Sequence, residues 1–205
     1  MKSYVKELPC DYREAFHINA KNKTTGIKFN LAAFIILGIV MGVGCLFLIG
    51  QDKSYSLNLV EIMLLYGAFI IAMIMYIILH ELVHGIAYKL MTRKKLTFGI
   101  GWSCAFCGVP DIYVYRRVAI IALIAPLITF TVLLLPLTIL LYFVHPVYYI
   151  ASLYILGMHL GGCVGDGYMT YLFIFRYKKP DTLIRDKGPE QYIYITDTNG
   201  HESEV

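Results

Sequence analysis

Leu79-His80-Glu81-Leu82-Val83-His84 stands in the last third of an apolar stretch running from residue 57 to residue 90. That stretch exceeds the roughly 20 residues a helix needs to cross a bilayer. Its reading decides the fold, because it places the motif inside a membrane span. On a helix, His80 and His84 lie one turn apart on one face, with Glu81 beside the first. Two imidazoles at that spacing can hold one zinc ion, with the glutamate as general base. Ionisable groups inside hydrocarbon are costly, so such a cluster defaults to a functional reading. The bland alternative is a satisfied polar network between helices. A third ligand at the same depth would favour the metal.

Outward from the motif, the composition agrees with a membrane protein. Of 205 residues 58% are hydrophobic and 16% charged, against about a quarter charged in a soluble domain. The apolar excess falls into four blocks, expected as spans over residues 29–50, 57–90, 118–144 and 147–175. Residues 1–28 read as a polar N-terminal arm with no cleavable signal peptide, and 176–205 as a polar tail. Between the second and third spans, residues 96–100 and 112–115 are β-prone, with Pro110 and Asp111 in the interval. They are expected as a strand pair or re-entrant hairpin. Gln191-Tyr-Ile-Tyr-Ile195 is expected as one strand. The fold class is thus an α-helical integral membrane protein with four transmembrane helices and a small cytosolic or re-entrant β-hairpin. No nucleic-acid partner is expected, and the oligomeric state stays open.

Charge placement sets the orientation. Lys2, Lys6, Arg13, Lys21, Lys23 and Lys28 precede the first span, Arg93, Lys94, Lys95, Arg116 and Arg117 lie between the second and third, and Arg176, Lys178, Lys179, Arg185 and Lys187 follow the fourth. The turn after the first span has only Lys53, and His145-Pro146 after the third has neither Lys nor Arg. By the positive-inside rule both termini are expected in the cytosol. Five cysteines without framework spacing argue against a disulfide scaffold. Cys104 and Cys107 form a lone Cys-x-x-Cys pair, too few ligands for a structural zinc site.

Counting back from the basic exits puts a carboxylate level with the histidines. His84 lies nine residues before Arg93, about 13 Å along a helix, and Asp166 lies ten before Arg176, about 15 Å. Both spans run inward. His80, His84 and Asp166 therefore share a depth in the cytosolic half and suit one ion. Asp166 sits in Gly161-Gly162-Cys163-Val164-Gly165-Asp166-Gly167, where glycines allow close helix approach or local unwinding. Its bland alternative is pairing with a Lys or Arg snorkelling from the interface. His159, seven residues upstream, can orient substrate, stabilise an oxyanion, act as a fourth ligand, or make a polar contact between helices.

His80-Glu81-Leu82-Val83-His84 with Asp166-Gly167 resembles the site-2 type of intramembrane zinc protease. More specifically, residues 78–186 resemble small bacterial membrane proteins grouped as zincin peptidases. That resemblance rests on His-Glu-Leu-x-His-Gly, Ala125-Pro126-Leu127, Gly162-x-x-Gly165-Asp166 and Arg185-Asp186. It implies a metallopeptidase with one Zn²⁺ on His80, His84 and Asp166, Glu81 as catalytic base, and His159 as a further catalytic residue. The implied substrate is a membrane protein or peptide. The chain departs from the site-2 pattern at Met158 and Gly161, where those proteases carry Asn and Pro, and from the zincin group at His159, where Asn often stands. The alternative is a non-catalytic binding or regulatory protein that keeps the fold. Six histidines, three of them outside the spans, disfavour a diiron lipid hydroxylase, whereas a zinc lipid hydrolase stays open.

Overall fold

The computed structural model describes residues 2–49, 58–100 and 105–197. The polar turn at 51–54, Cys104 and His201 lie outside them. In chain order the elements are β1 (Tyr4–Val5), β2 (Tyr12–Asn19), α1 (Lys23–Leu46), α2 (Leu59–Thr92), β3 (Thr97–Ile100), β4 (Ala105–Gly108), β5 (Tyr113–Tyr115), α3 (Arg116–Val144), α4 (Pro146–Gly162), α5 (Val164–Tyr171), β6 (Leu183–Asp186) and β7 (Glu190–Thr196). A π-helical turn, Leu172–Arg176, closes α5.

Among the described residues, four helices are long and apolar enough to cross a membrane: Lys23–Leu46, Leu59–Thr92, Arg116–Val144 and the broken Pro146–Arg176. Their ends follow from local capping. α1 starts ahead of the apolar run because Asn22 Oδ1 accepts the Thr24 N–H at 3.0 Å. α2 opens with a reciprocal cap: Asn58 Oδ1 accepts the Glu61 N–H at 2.9 Å, and Glu61 Oε2 accepts the Asn58 N–H at 2.9 Å. His145 caps α4 by accepting the Val147 N–H, with Pro146 in the first turn. Leu31, Phe34, Ile35, Leu64 and Ile71 are among the many exposed apolar side chains of these helices. A surface of that kind is suited to lipid rather than water.

The chain divides into two compact units. One spans residues 30–80 and 127–164, and its described residues form helices and the turns that end them. Close packing there comes from Gly157 and Gly161 of α4, four residues apart. A Cβ at Gly157 would meet Leu37 Cδ1 at 2.7 Å, and one at Gly161 would meet the Ala33 carbonyl oxygen at 2.8 Å. The glycine pair thus lets α1 and α4 approach to backbone contact, as small-residue pairs do between membrane helices. The Tyr149 hydroxyl adds a hydrogen bond to the Gly44 carbonyl at 3.0 Å.

The other unit takes the described residues up to Phe29, Glu81–Pro126 and those from Gly165 onward. It holds a five-stranded antiparallel sheet of order β1-β5-β6-β7-β2 and a two-stranded sheet β3-β4. The polar N-terminal segment, the interval between α2 and α3, and the tail all supply strands to the first sheet. Its apolar face packs Val114, Ile184 and Ile193 against Tyr88, Ala119, Leu123, Met169 and Phe173. The expected pairing of 96–100 with 112–115 is corrected here. Thr97–Ile100 pairs instead with Ala105–Gly108, and Tyr113–Tyr115 pairs with β1 and β6. A short hairpin has little loop-closure entropy to overcome. The turn at Pro110-Asp111 then carries the chain to the larger sheet, where the Val109 N–H bonds the Asp186 carbonyl at 2.9 Å. β7 covers the strand expected at 191–195.

Candidate metal centre

α2 carries a column of polar rings, Tyr76, His80, His84 and Tyr88, each four residues from the next. One helical turn separates each pair, so all four share a face. All four belong to α2; Tyr76 and His80 fall in the helical unit, and His84 and Tyr88 in the unit with the sheets.

In the unit with the sheets, His84 meets Asp166. Their Nε2 and Oδ2 atoms are 3.2 Å apart, with the imidazole buried and the carboxylate partly open. Asp166 owes its place to a helix break. The glycine-rich run ends α4, Cys163 leaves helical geometry, and a new helix begins at Val164 with Asp166 in its first turn. The other His84 nitrogen, Nδ1, lies 2.8 Å from the Ala122 carbonyl oxygen. That oxygen accepts, so Nδ1 carries a proton, and Nε2 faces the Asp166 carboxylate, to which a protonated Nε2 donates and with which a deprotonated Nε2 would share a cation.

The Ala122 carbonyl is available because of Pro126. In an α-helix the carbonyl of residue 122 bonds the N–H of residue 126, and proline has none. The proline of Ala125-Pro126-Leu127 thereby converts a helix carbonyl into the acceptor that orients a histidine.

The motif's surroundings are close-packed on the same side. A Cβ at Gly85 would meet Phe98 Cζ at 2.7 Å and Leu96 Cδ1 at 3.2 Å. The glycine after His84 therefore lets β3 and its approach rest on α2. One turn further on, the Tyr88 hydroxyl donates to Asp186 Oδ2 at 2.8 Å, and the Gly188 N–H donates to Oδ1 at 2.8 Å. Burial pushes the Asp186 carboxyl up to about 6, and these two bonds pull partly against it. Burial likewise pushes the Cys107 thiol up to about 12, with the Asp186 and Glu81 charges adding to it.

In the helical unit, Tyr76 joins two histidines. Its hydroxyl is 3.0 Å from His80 Nδ1 and 3.0 Å from His159 Nδ1. His159 Nε2 is 3.1 Å from Thr131 Oγ1. His159 is fully buried, and Phe130 packs near parallel to the His80 ring. Both ring nitrogens of His159 thus have hydrogen-bond partners inside the protein. Glu81 is half-buried on α2, between the two motif histidines.

The donor set fits a zinc ion. Two ligands bound tetrahedrally at about 2.0–2.1 Å stand roughly 3.3 Å apart, close to the observed separation of His84 Nε2 and Asp166 Oδ2. His84 and His80 each have the nitrogen away from Nε2 engaged, the arrangement of metal-ligating imidazoles. Tyr76, Thr131 and the Ala122 carbonyl are absent from the sequence-derived site. Tyr76 could have been added from its four-residue spacing to His80, and Ala122 from its four-residue spacing to Pro126. Thr131 has no comparable local signal.

A family model described as "Putative zincin peptidase" matches residues 73–183. The match covers just over half of the chain, and the chain belongs to that family. Neither a search of curated proteins nor one of solved structures found a match.

Proposed function

For this member of the zincin peptidase family, we propose a zinc-dependent peptidase embedded in the bacterial cytoplasmic membrane. It cleaves a membrane protein or peptide near the cytosolic leaflet. The observation that carries this reading is the His84–Asp166 contact, with His80 one turn upstream on the same helix. His80, His84 and Asp166 would hold one ion. Zinc bound there would lower the pKa of a water toward neutrality and polarise the scissile carbonyl. Glu81 takes the proton of the attacking water and returns it to the leaving amine. His84 is held in the required tautomer by Ala122, which keeps Nε2 as the donor atom.

The topology is part of the proposal: four crossings, with both termini in the cytosol. It is supported by the sheet, in which strands from the N-terminal segment, the α2–α3 interval and the tail hydrogen-bond one another. Chain segments paired in one sheet occupy one side of a bilayer. Those segments are also the basic ones, which favours the cytosolic side. The β3–β4 hairpin, seated beside Gly85, has a strand edge on which an extended substrate can pair. A helical substrate must unwind to be cut, because its carbonyls are already hydrogen-bonded.

Metal analysis of detergent-purified protein tests the centre. Wild type and Glu81→Gln retain about one zinc per chain, and Asp166→Ala loses it. Asp166→Ala protein with unchanged zinc would refute the ligand set. A membrane protein that accumulates uncleaved only in cells carrying Glu81→Gln identifies the substrate. If no protein accumulates in these cells and their function is unchanged, the non-catalytic binding reading gains support instead.

A further inference from the structure

The Tyr76 hydroxyl has one proton and two imidazole neighbours at 3.0 Å. It can donate to only one of them, so the other must donate to it. The chain of bonds His80–Tyr76–His159–Thr131 therefore runs in a single direction. Given the zinc centre proposed above, on which this inference rests, that direction is determined. Ligation through His80 Nε2 requires the proton on His80 Nδ1, which then donates to the Tyr76 oxygen. Tyr76 must donate to His159 Nδ1. His159 is left protonated at Nε2, where it donates to Thr131 Oγ1 at 3.1 Å.

We infer that Tyr76 is a positioning residue for His80, and that His159 and Thr131 set the direction in which the Tyr76 hydroxyl points. His159 thereby acts through Tyr76 and His80, rather than on the reacting carbonyl. Its complete burial and two engaged nitrogens suit that role. The Leu127 backbone carbonyl also accepts from His159, which favours the same direction before a metal arrives, so removing a link leaves His80 less ready for one. Outer hydrogen-bond partners of this kind typically contribute about 10- to 100-fold to metal affinity.

His80, His159 and Cys163 also place one donor atom each within 4.8 Å of one another, and Cys163 Sγ lies 3.8 Å from His159 Nδ1. A metal bridging these three would compete with the relay. The relay accounts for the geometry better, because Tyr76 already occupies the position between the two Nδ1 atoms.

The experiment uses the full-length protein in detergent with zinc, cobalt and cadmium as probes. Chelator competition gives the zinc affinity of wild type, Tyr76→Phe, Thr131→Val and Cys163→Ser. The expected loss is about 10- to 100-fold for Tyr76→Phe, smaller for Thr131→Val, and none for Cys163→Ser. The visible spectrum of the cobalt-loaded protein shifts in Tyr76→Phe and keeps its form in Cys163→Ser. Nitrogen NMR of zinc-loaded, histidine-labelled wild type shows His80 protonated at Nδ1 and His159 at Nε2. If Tyr76→Phe binds zinc as tightly as wild type, or if the His159 proton sits on Nδ1, the relay is wrong and the zinc centre stands. A thiolate charge-transfer band in cadmium-loaded protein that vanishes in Cys163→Ser would also overturn the relay. Zinc binding that does not depend on His80 would refute the centre itself, a result distinct from the others.

Discussion

Pro126→Ala separates the two consequences of one proline. The substitution restores an N–H in the interior of α3, opposite the Ala122 carbonyl. Removing an interior proline from a helix is worth up to about 3 kcal/mol. Pro126 is fully buried, and the smaller side chain leaves a cavity costing about 1 kcal/mol. The protein should therefore gain stability, by about 2 kcal/mol. At the same time the new N–H competes for the carbonyl that accepts from His84 Nδ1 at 2.8 Å. A carbonyl has two lone pairs, so His84 is loosened rather than released. The expected loss in zinc affinity lies near the low end of the outer-partner range, about tenfold, or about 1.4 kcal/mol. Thermal unfolding of metal-free protein gives the first quantity and chelator competition the second. The two move in opposite directions, which general misfolding cannot produce. A stabilised variant with unchanged zinc affinity would refute the role given to the Ala122 carbonyl.

Asp186 has a folded-state value of about 6 against an ordinary 3.8, so the folded protein binds the proton more tightly. Its contribution is complete below pH 4 and lost as pH rises through 6, about 3 kcal/mol in all. Asp186→Asn should flatten stability between pH 4 and 7, relative to wild type, in paired thermal melts; parallel curves would count against a buried, shifted carboxyl. Gly161→Ala drives a Cβ against the Ala33 carbonyl oxygen at 2.8 Å and should destabilise the protein by about 1–3 kcal/mol. Gly38→Ala, with nothing within 4 Å of its Cβ, should leave the melting temperature unchanged or higher, and equal behaviour of the two would refute the close approach of α1 and α4.

The sequence alone determined what depends on near neighbours. Four apolar runs of spanning length, the four-residue spacing of His80 and His84, and the counting from which a shared depth for Asp166 is expected are all one-dimensional properties. They need only the rise and pitch of a helix. The glycine-rich run around Asp166 was legible as a place for close approach or a break, and both occur, with Gly161 against Ala33 and the interruption at Cys163. The partners of the polar atoms were decided only by tertiary structure. Which carbonyl accepts from His84, which hydroxyl joins His80 to His159, and which strands lie beside β5 depend on segments distant in the chain. The pairing energy of a strand or an imidazole is nearly the same for many candidate partners, and local sequence does not rank them. The choice is made by packing, when Gly85 admits Phe98, Gly161 admits Ala33, and Pro126 leaves one helix carbonyl in need of a donor.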